Sequence, residues 1–205
     1  MDTPNKISII ILAAGLSQRF NGNKLLVEID EIPLVRKTVE IYMENDPYEI
    51  IIVVGYEQEK IKSALKGLNV KFALNEKFKE GQSTSVIKGI LSTNKHSDGY
   101  LFGLADQPFI SKELIKKIID SFYLHEGKET LIVAPFVEEQ RGNPVLFSAS
   151  LRQKLLNISG DQGARDIYAH IQDKFPSAIE RVNILEKKTF YDLDTEEDFK
   201  NFLLN

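Results

Sequence analysis

The chain has 205 residues, of which 42% are hydrophobic and 27% charged, a globular composition that excludes a disordered or fibrous protein. A formal net charge of −4 argues against a protein whose affinity comes from neutralising many nucleic-acid phosphates. The absence of cysteine excludes disulfides, thiolate metal sites and a cysteine nucleophile.

The start, MDTPNK, lacks the basic and apolar regions of a signal peptide, and the apolar run over residues 7–16 is too short to cross a bilayer. A cytoplasmic protein with no membrane and no nucleic-acid partner is expected. In chain order, Ile7–Ala13 is β-branched and almost wholly apolar, as a strand buried on both faces would be. Leu34–Met43 has helical periodicity, 50–54 reads as a strand, 58–68 as a helix and 70–74 as a strand. Residues 85–92 then read as a helix and Gly99–Leu104 as a strand. In Lys112–Tyr123, Leu114, Ile115, Ile118, Ile119 and Phe122 recur at helical spacing. Strands follow over 130–134, 145–147 and 181–185, with a final helix from about Thr195. The alternation predicts a single α/β domain over 1–205, with a mostly parallel, Rossmann-like sheet and helices on both faces. In such a sheet, ligands bind at the carboxyl ends of the strands.

The chemistry-bearing residues sit at those ends. Residues 12–24, LAAGLSQRFNGNK, follow the first strand directly. Gly15 and Gly22 permit unusual backbone conformations, while Ser17, Arg19 and Lys24 add a hydroxyl and two cations. The loop matches neither the Walker pattern nor GxGxxG. On residues alone, an anion cradle and a plain turn with two solvated cations stand level. Asp106 ends a strand ahead of Pro108. It is placed either to hold a hard cation or to make a turn before a helix capped by Ser111. Asp192 and Asp194 share a face of an extended segment, and Thr195 with Asp198 makes a plausible capping box. Around residues 81–85, either a helix N-terminus meets a ligand or Ser83 or Ser85 simply caps the helix. Arg141 and Arg165 follow glycine-containing loops and are either solvated or cations for a phosphorylated second substrate. His96, His125 and His170 lie far apart and read as surface residues.

Residues 12–24 resemble the LAAGxSxRxGxxK signature of nucleotidyltransferases with a GT-A-like Rossmann fold. EGQSTSV at 80–86, DQP at 106–108, RGNPV at 141–145, GDQGAR at 160–165 and DLDT at 192–195 occur in the order seen in the molybdopterin nucleotidyltransferase family, in its molybdenum cofactor cytidylyltransferase branch. The resemblance implies CTP and Mo-molybdopterin as substrates, Mg2+ as cofactor and a molybdenum hydroxylase apoenzyme as a partner. It assigns catalysis to Arg19, Lys24 and Asp106, and metal binding to Asp106 and Asp194. Nucleotide contacts would come from Leu12, Ala13, Ala14, Gly15, Ser17, Arg19, Lys24, Gln82, Ser85 and Asp106. Second-substrate contacts would come from Arg141, Asn143 and Arg165, with Asn143 standing where the family commonly has histidine. A nucleotidyltransferase acting on another phosphorylated acceptor, such as a sugar phosphate, is the rival enzymatic reading. A non-catalytic cofactor carrier is the rival of another class.

Overall fold

The first strand, β1 (Ile7–Ala13), is almost wholly apolar because both of its faces are covered. Ile7, Ile9 and Ile11 join one hydrophobic cluster, and Ile10 joins the other, as strand alternation requires. Ser8, on the same face as Ile10, is buried because its hydroxyl bonds Glu49 and Ser97. The computed structural model describes residues 5–17, 19–20, 22–124, 131–195 and 197–199.

After β1 come a short hairpin, β2 (Glu28–Ile29) and β3 (Ile32–Pro33), then α1 (Leu34–Met43), β4 (Glu49–Val54), α2 (Gln58–Ala64) and β5 (Lys71–Leu74). The chain continues through α3 (Gln82–Leu91), β6 (Gly99–Leu104), α4 (Lys112–Tyr123), β7 (Ile132–Val137), β8 (Gln140–Arg141) and β9 (Val145–Ser148). It ends with α5 (Arg152–Leu156), α6 (Arg165–Lys174) and β10 (Ile179–Asn183). The main sheet runs β10-β7-β9-β6-β1-β4-β5, with β8 paired to β7. Helices α1, α2 and α4 contribute to the cluster on one face, and α3, α5 and α6 to the cluster on the other. In α4, Ser111 accepts from Leu114 N at 3.2 Å, and Leu114, Ile115, Ile118 and Ile119 are its buried stripe.

The predicted α/β architecture is therefore observed, with several corrections. The strand β9 is antiparallel to both β6 and β7. Its reversal places Val145 opposite Phe102, near the carboxyl end of β6, so residues 141–144 arrive at the ligand-binding edge of the sheet. The helix expected at 85 begins at Gln82, and neither Ser83 nor Ser85 caps it; Gly81 is the cap residue, with no side-chain bond. Instead Ser83 N donates to Gly160 O at 3.1 Å. Gly81 has φ +111°, and a Cβ there would sit 2.6 Å from Gly160 O, so only glycine fits. The helix expected to reach 68 stops at Ala64, the strand expected at 70 begins at Lys71, and the last strand starts at Ile179 rather than 181. The strand expected at 130–134 runs Ile132–Val137. Thr130, His125 and most of the final helix lie outside the described residues, although residues 197–199 are helical. The reciprocal bonds between Thr195 and Asp198 that begin that helix are formed. His96 and His170 are exposed, as expected.

Candidate active site

The loop after β1 turns tightly because Ser17 and Gly22 take positive φ values, 51° and 104°. Ser17 Oγ accepts from Lys24 N at 3.3 Å. Asn23 Oδ1 accepts from Leu25 N at 3.1 Å, pinning the single turn that carries Lys24. The loop walls a crevice of about 590 Å3 whose lining includes Leu12, Ala13, Ala14, Gly15, Ser17, Arg19, Lys24, Gln82, Ser85, Asp106 and Asp194. Every predicted nucleotide-site residue thus falls on one cavity.

Asp106 lies two residues beyond β6. Its backbone oxygen accepts from Leu193 N at 3.1 Å, which docks the 192–194 segment against it. Lys24 Nζ then lies 2.5 Å from both Asp106 Oδ2 and Asp194 Oδ1, and Arg19 Nη2 lies 2.5 Å from Asp194 Oδ2. Arg19 and Lys24 are consequently ion-paired within the chain, whereas the sequence offered either an anion cradle or two solvated cations. Burial works against the Lys24 ammonium, but the Asp106 and Asp194 carboxylates outweigh it and raise its pKa above the ordinary value. Asp192 turns away from this cluster, and its Oδ1 accepts from Gln107 Nε2 at 2.6 Å. Burial, then repulsion from Asp106 and Asp194, pushes the Asp192 carboxyl up.

Two carboxylates aimed at one positive point are an oxygen donor pair suited to a hard divalent cation. Among the described residues, no group of three or more His, Cys, Asp or Glu side chains could hold a metal. The pair would therefore need phosphate oxygens or water to complete a coordination shell.

A second pocket of about 250 Å3 shares Leu12, Gln82 and Leu104 with the first and carries Arg141, Asn143 and Arg165. Arg141 stacks over the Tyr168 ring at 4.5 Å. Burial holds its guanidinium below the ordinary pKa, and the neighbouring Arg165 adds repulsion. Neither arginine forms an ion pair with a carboxylate among the described residues, so this pocket presents uncompensated positive charge. Gly142 admits the Phe190 ring, whose Cε1 would lie 2.0 Å from a Cβ built there.

The sequence reading missed Phe78, Lys79, Gly81 and Asp161, all of which line the first crevice. Gly81 and Asp161 belong to the EGQSTSV and GDQGAR segments. Their signal was the pair of glycine-bearing turns, which pack together: Asp161 Oδ1 lies 2.7 Å from the position of a Gly81 Cβ.

The fold is an α/β domain that carries a charged crevice at the carboxyl ends of its strands. The chain belongs to the MobA-like NTP transferase domain family, which it matches over residues 9–175. It is 26% identical over 172 residues to the bifunctional protein GlmU of Francisella tularensis subsp. novicida (strain U112), covering 82% of this chain and 36% of that protein. The chain thus spans about a third of the length of that curated relative. The crystal structure of Rv0371c from Mycobacterium tuberculosis H37Rv superposes with a TM-score of 0.81 at 21% identity, covering 98% of this chain and 100% of that one. A complex of Rv0371c with manganese superposes with a TM-score of 0.79. The 4-diphosphocytidyl-2C-methyl-D-erythritol synthase of Anaerococcus prevotii DSM 20548 gives a TM-score of 0.74 at 18% identity, covering 98% of this chain and 97% of its own. At these identities the structural neighbours show the shared fold. Among the described residues, no helix is long and apolar enough to cross a membrane.

Proposed function

We propose that this protein transfers CMP from CTP to the terminal phosphate of Mo-molybdopterin and releases pyrophosphate. The observation that carries the reading is the meeting of Lys24, Arg19, Asp106 and Asp194 at one edge of a crevice that continues into an arginine-bearing pocket. The family match supports a nucleotidyl donor, and the acceptor is read from the order of the sequence motifs. The cytidyl group in the name of the Anaerococcus neighbour supports CTP, and the manganese complex of Rv0371c supports a divalent metal.

In this reading Ala13, Ala14, Gly15 and Ser17 pass close to the nucleotide, while Gln82 and Ser85 face the base. Arg19 and Lys24 leave their carboxylate partners for the triphosphate, offsetting charge on the departing pyrophosphate. Mg2+ on Asp106 and Asp194 would supply further neutralisation and alignment of the phosphates when bound. Arg141 and Arg165, with Asn143, hold the acceptor phosphate. An acceptor oxygen attacks the α-phosphorus of CTP, the bond to the β,γ-pyrophosphate breaks, and a new phosphoanhydride joins CMP to the acceptor. The acceptor phosphate has its second pKa near 6 and is largely ionised at neutral pH, so no histidine or cysteine base is required. Product delivery to a molybdenum hydroxylase apoenzyme would follow.

Pyrophosphate release with purified protein, Mg2+, CTP and Mo-molybdopterin tests the reading, with sugar phosphates as alternative acceptors. Turnover is expected only with Mo-molybdopterin and should be lost in Asp106→Ala while cooperative unfolding is retained. Faster turnover with a sugar phosphate would overturn the acceptor assignment, and an active Asp106→Ala enzyme would remove that residue from the chemistry.

A further inference from the structure

Asn75 follows β5, is 4% exposed and continues the ladder by donating its N–H to Val54 O at 2.8 Å. Its Oδ1 accepts from Lys77 N at 3.0 Å. A backbone N–H can only donate, so this bond fixes which way the amide points. Both Nδ2 hydrogens then face hydroxyls, those of Thr84 and Ser85, each at 2.9 Å. Thr84 passes its own proton to Gly81 O at 2.8 Å. Ser85 Oγ is different. It accepts from Asn75 and has no acceptor for its proton among the described residues, and the residue itself lines the crevice and is 6% exposed. A buried hydroxyl whose one partner is a donor must offer its hydrogen elsewhere.

We infer that Asn75 is a positioning residue that fixes the polarity of base recognition: it holds Ser85 as a donor toward a hydrogen-bond acceptor on the base, a ring carbonyl or an unprotonated ring nitrogen. Asn75 does not touch the nucleotide. The inference rests on the reading of this crevice as the CTP site. The topology agrees with the base lying here, because α3 packs over β1 and β4 whereas Asp106 follows β6, on the other side of β1. Phosphates and base would then occupy opposite sides of β1.

The decisive variant is Asn75→Asp, which keeps the shape and the Lys77 bond but turns the donor group into an acceptor. Ser85 would then direct its hydrogen to the new carboxylate and present lone pairs to the base. Relative to the parent, CTP affinity in the presence of Mg2+ should fall about tenfold or more, since a site's polar group is left facing a like partner. KM for CTP should rise while kcat is nearly kept, the pattern of lost uniform binding. Ser85→Ala should weaken CTP by about three- to tenfold, and adding Asn75→Asp to it should cost nothing more. Inhibition by inorganic tripolyphosphate, which has no base, should be the same in every variant.

An Asn75→Asp effect that persists undiminished in the Ser85→Ala background would overturn the inference, as would an equal loss of tripolyphosphate binding. If Asn75→Asp does not fold, Ser85→Ala still decides: unchanged CTP affinity in that variant refutes the role. A parent that binds tripolyphosphate but not CTP would instead overturn the reading of the crevice.

Discussion

Replacing Lys24 by methionine deletes a charge and keeps most of the aliphatic stem. In the structure that charge lies 2.5 Å from an oxygen of each of two carboxylates, on a side chain only 13% exposed. Two opposite charges ~4 Å apart attract by about 4 kcal/mol at an effective dielectric near 20, and Lys24 has two such partners. Much of that attraction is offset by removing the ammonium from water. In the proposed reaction the expected catalytic loss is that of one preorganised electrostatic contact to the reacting phosphate, about 2–4 kcal/mol in kcat/KM, or roughly 30- to 1000-fold. The low exposure of Lys24 favours the upper half of that range. A second consequence runs the other way. The nucleotide-free parent must give up both Lys24 ion pairs before a divalent cation can reach Asp106 and Asp194, whereas Lys24→Met leaves the Arg19–Asp194 pair alone to be displaced. Mn2+ should therefore bind the nucleotide-free variant about tenfold more tightly or better, even as turnover falls. Pyrophosphate release across CTP concentrations measures the first effect, and Mn2+ titration followed by electron paramagnetic resonance measures the second. A variant with kcat/KM within threefold of the parent would refute the catalytic argument. Unchanged Mn2+ affinity would refute the claim that ammonium and metal compete for one place.

Three further outcomes follow from particular contacts. Glu49 accepts from Ser8 Oγ and Asn94 N at 2.6 Å and pairs with Lys71 at 2.7 Å; burial pushes its carboxyl up, but these bonds outweigh burial and lower its pKa. A depressed carboxyl stabilises the fold above its unfolded pKa and ceases to as pH falls through the folded value. Glu49→Gln should thus cost about 1.5–3 kcal/mol at pH 7, a gap that urea titrations should find closing below pH ~4; a pH-independent gap would contradict the sign. Tyr42 OH is fully buried without a partner among the described residues, so Tyr42→Phe should be neutral or stabilising by up to about 1 kcal/mol in urea unfolding, and a loss larger than that would reveal an unrecognised bond. Arg165→Ala, at an exposed position on the rim of the second pocket, should raise KM for the acceptor several-fold and leave KM for CTP within about twofold; the reverse pattern would move Arg165 to the nucleotide half.

The sequence by itself determined the order of the central elements, because their signals are local. An unbroken apolar run such as Ile7–Ala13 requires cover on both faces, and the stripe Leu114, Ile115, Ile118 and Ile119 can only be a helix side. It also marked the loop 12–24 and Asp106, since chemistry-bearing residues at strand ends face the ligand edge of any mostly parallel sheet, and Asp194 through the resemblance carried by the DLDT segment. The tertiary structure decided what those residues touch. Nothing local shows that Lys24 bridges Asp106 and Asp194 across 170 positions of chain, or that Asp192 turns instead to Gln107. Asn75 was invisible because its importance lies in the direction of its amide, set by the backbone of Lys77. The antiparallel course of β9 was equally hidden: Val145, Leu146 and Phe147 give the same apolar signal in either direction, and pairing with β6 and β7 alone fixes it. That reversal carries Arg141 and Asn143 to the second pocket beside the crevice, because a strand running the other way would have left them at the opposite edge of the sheet.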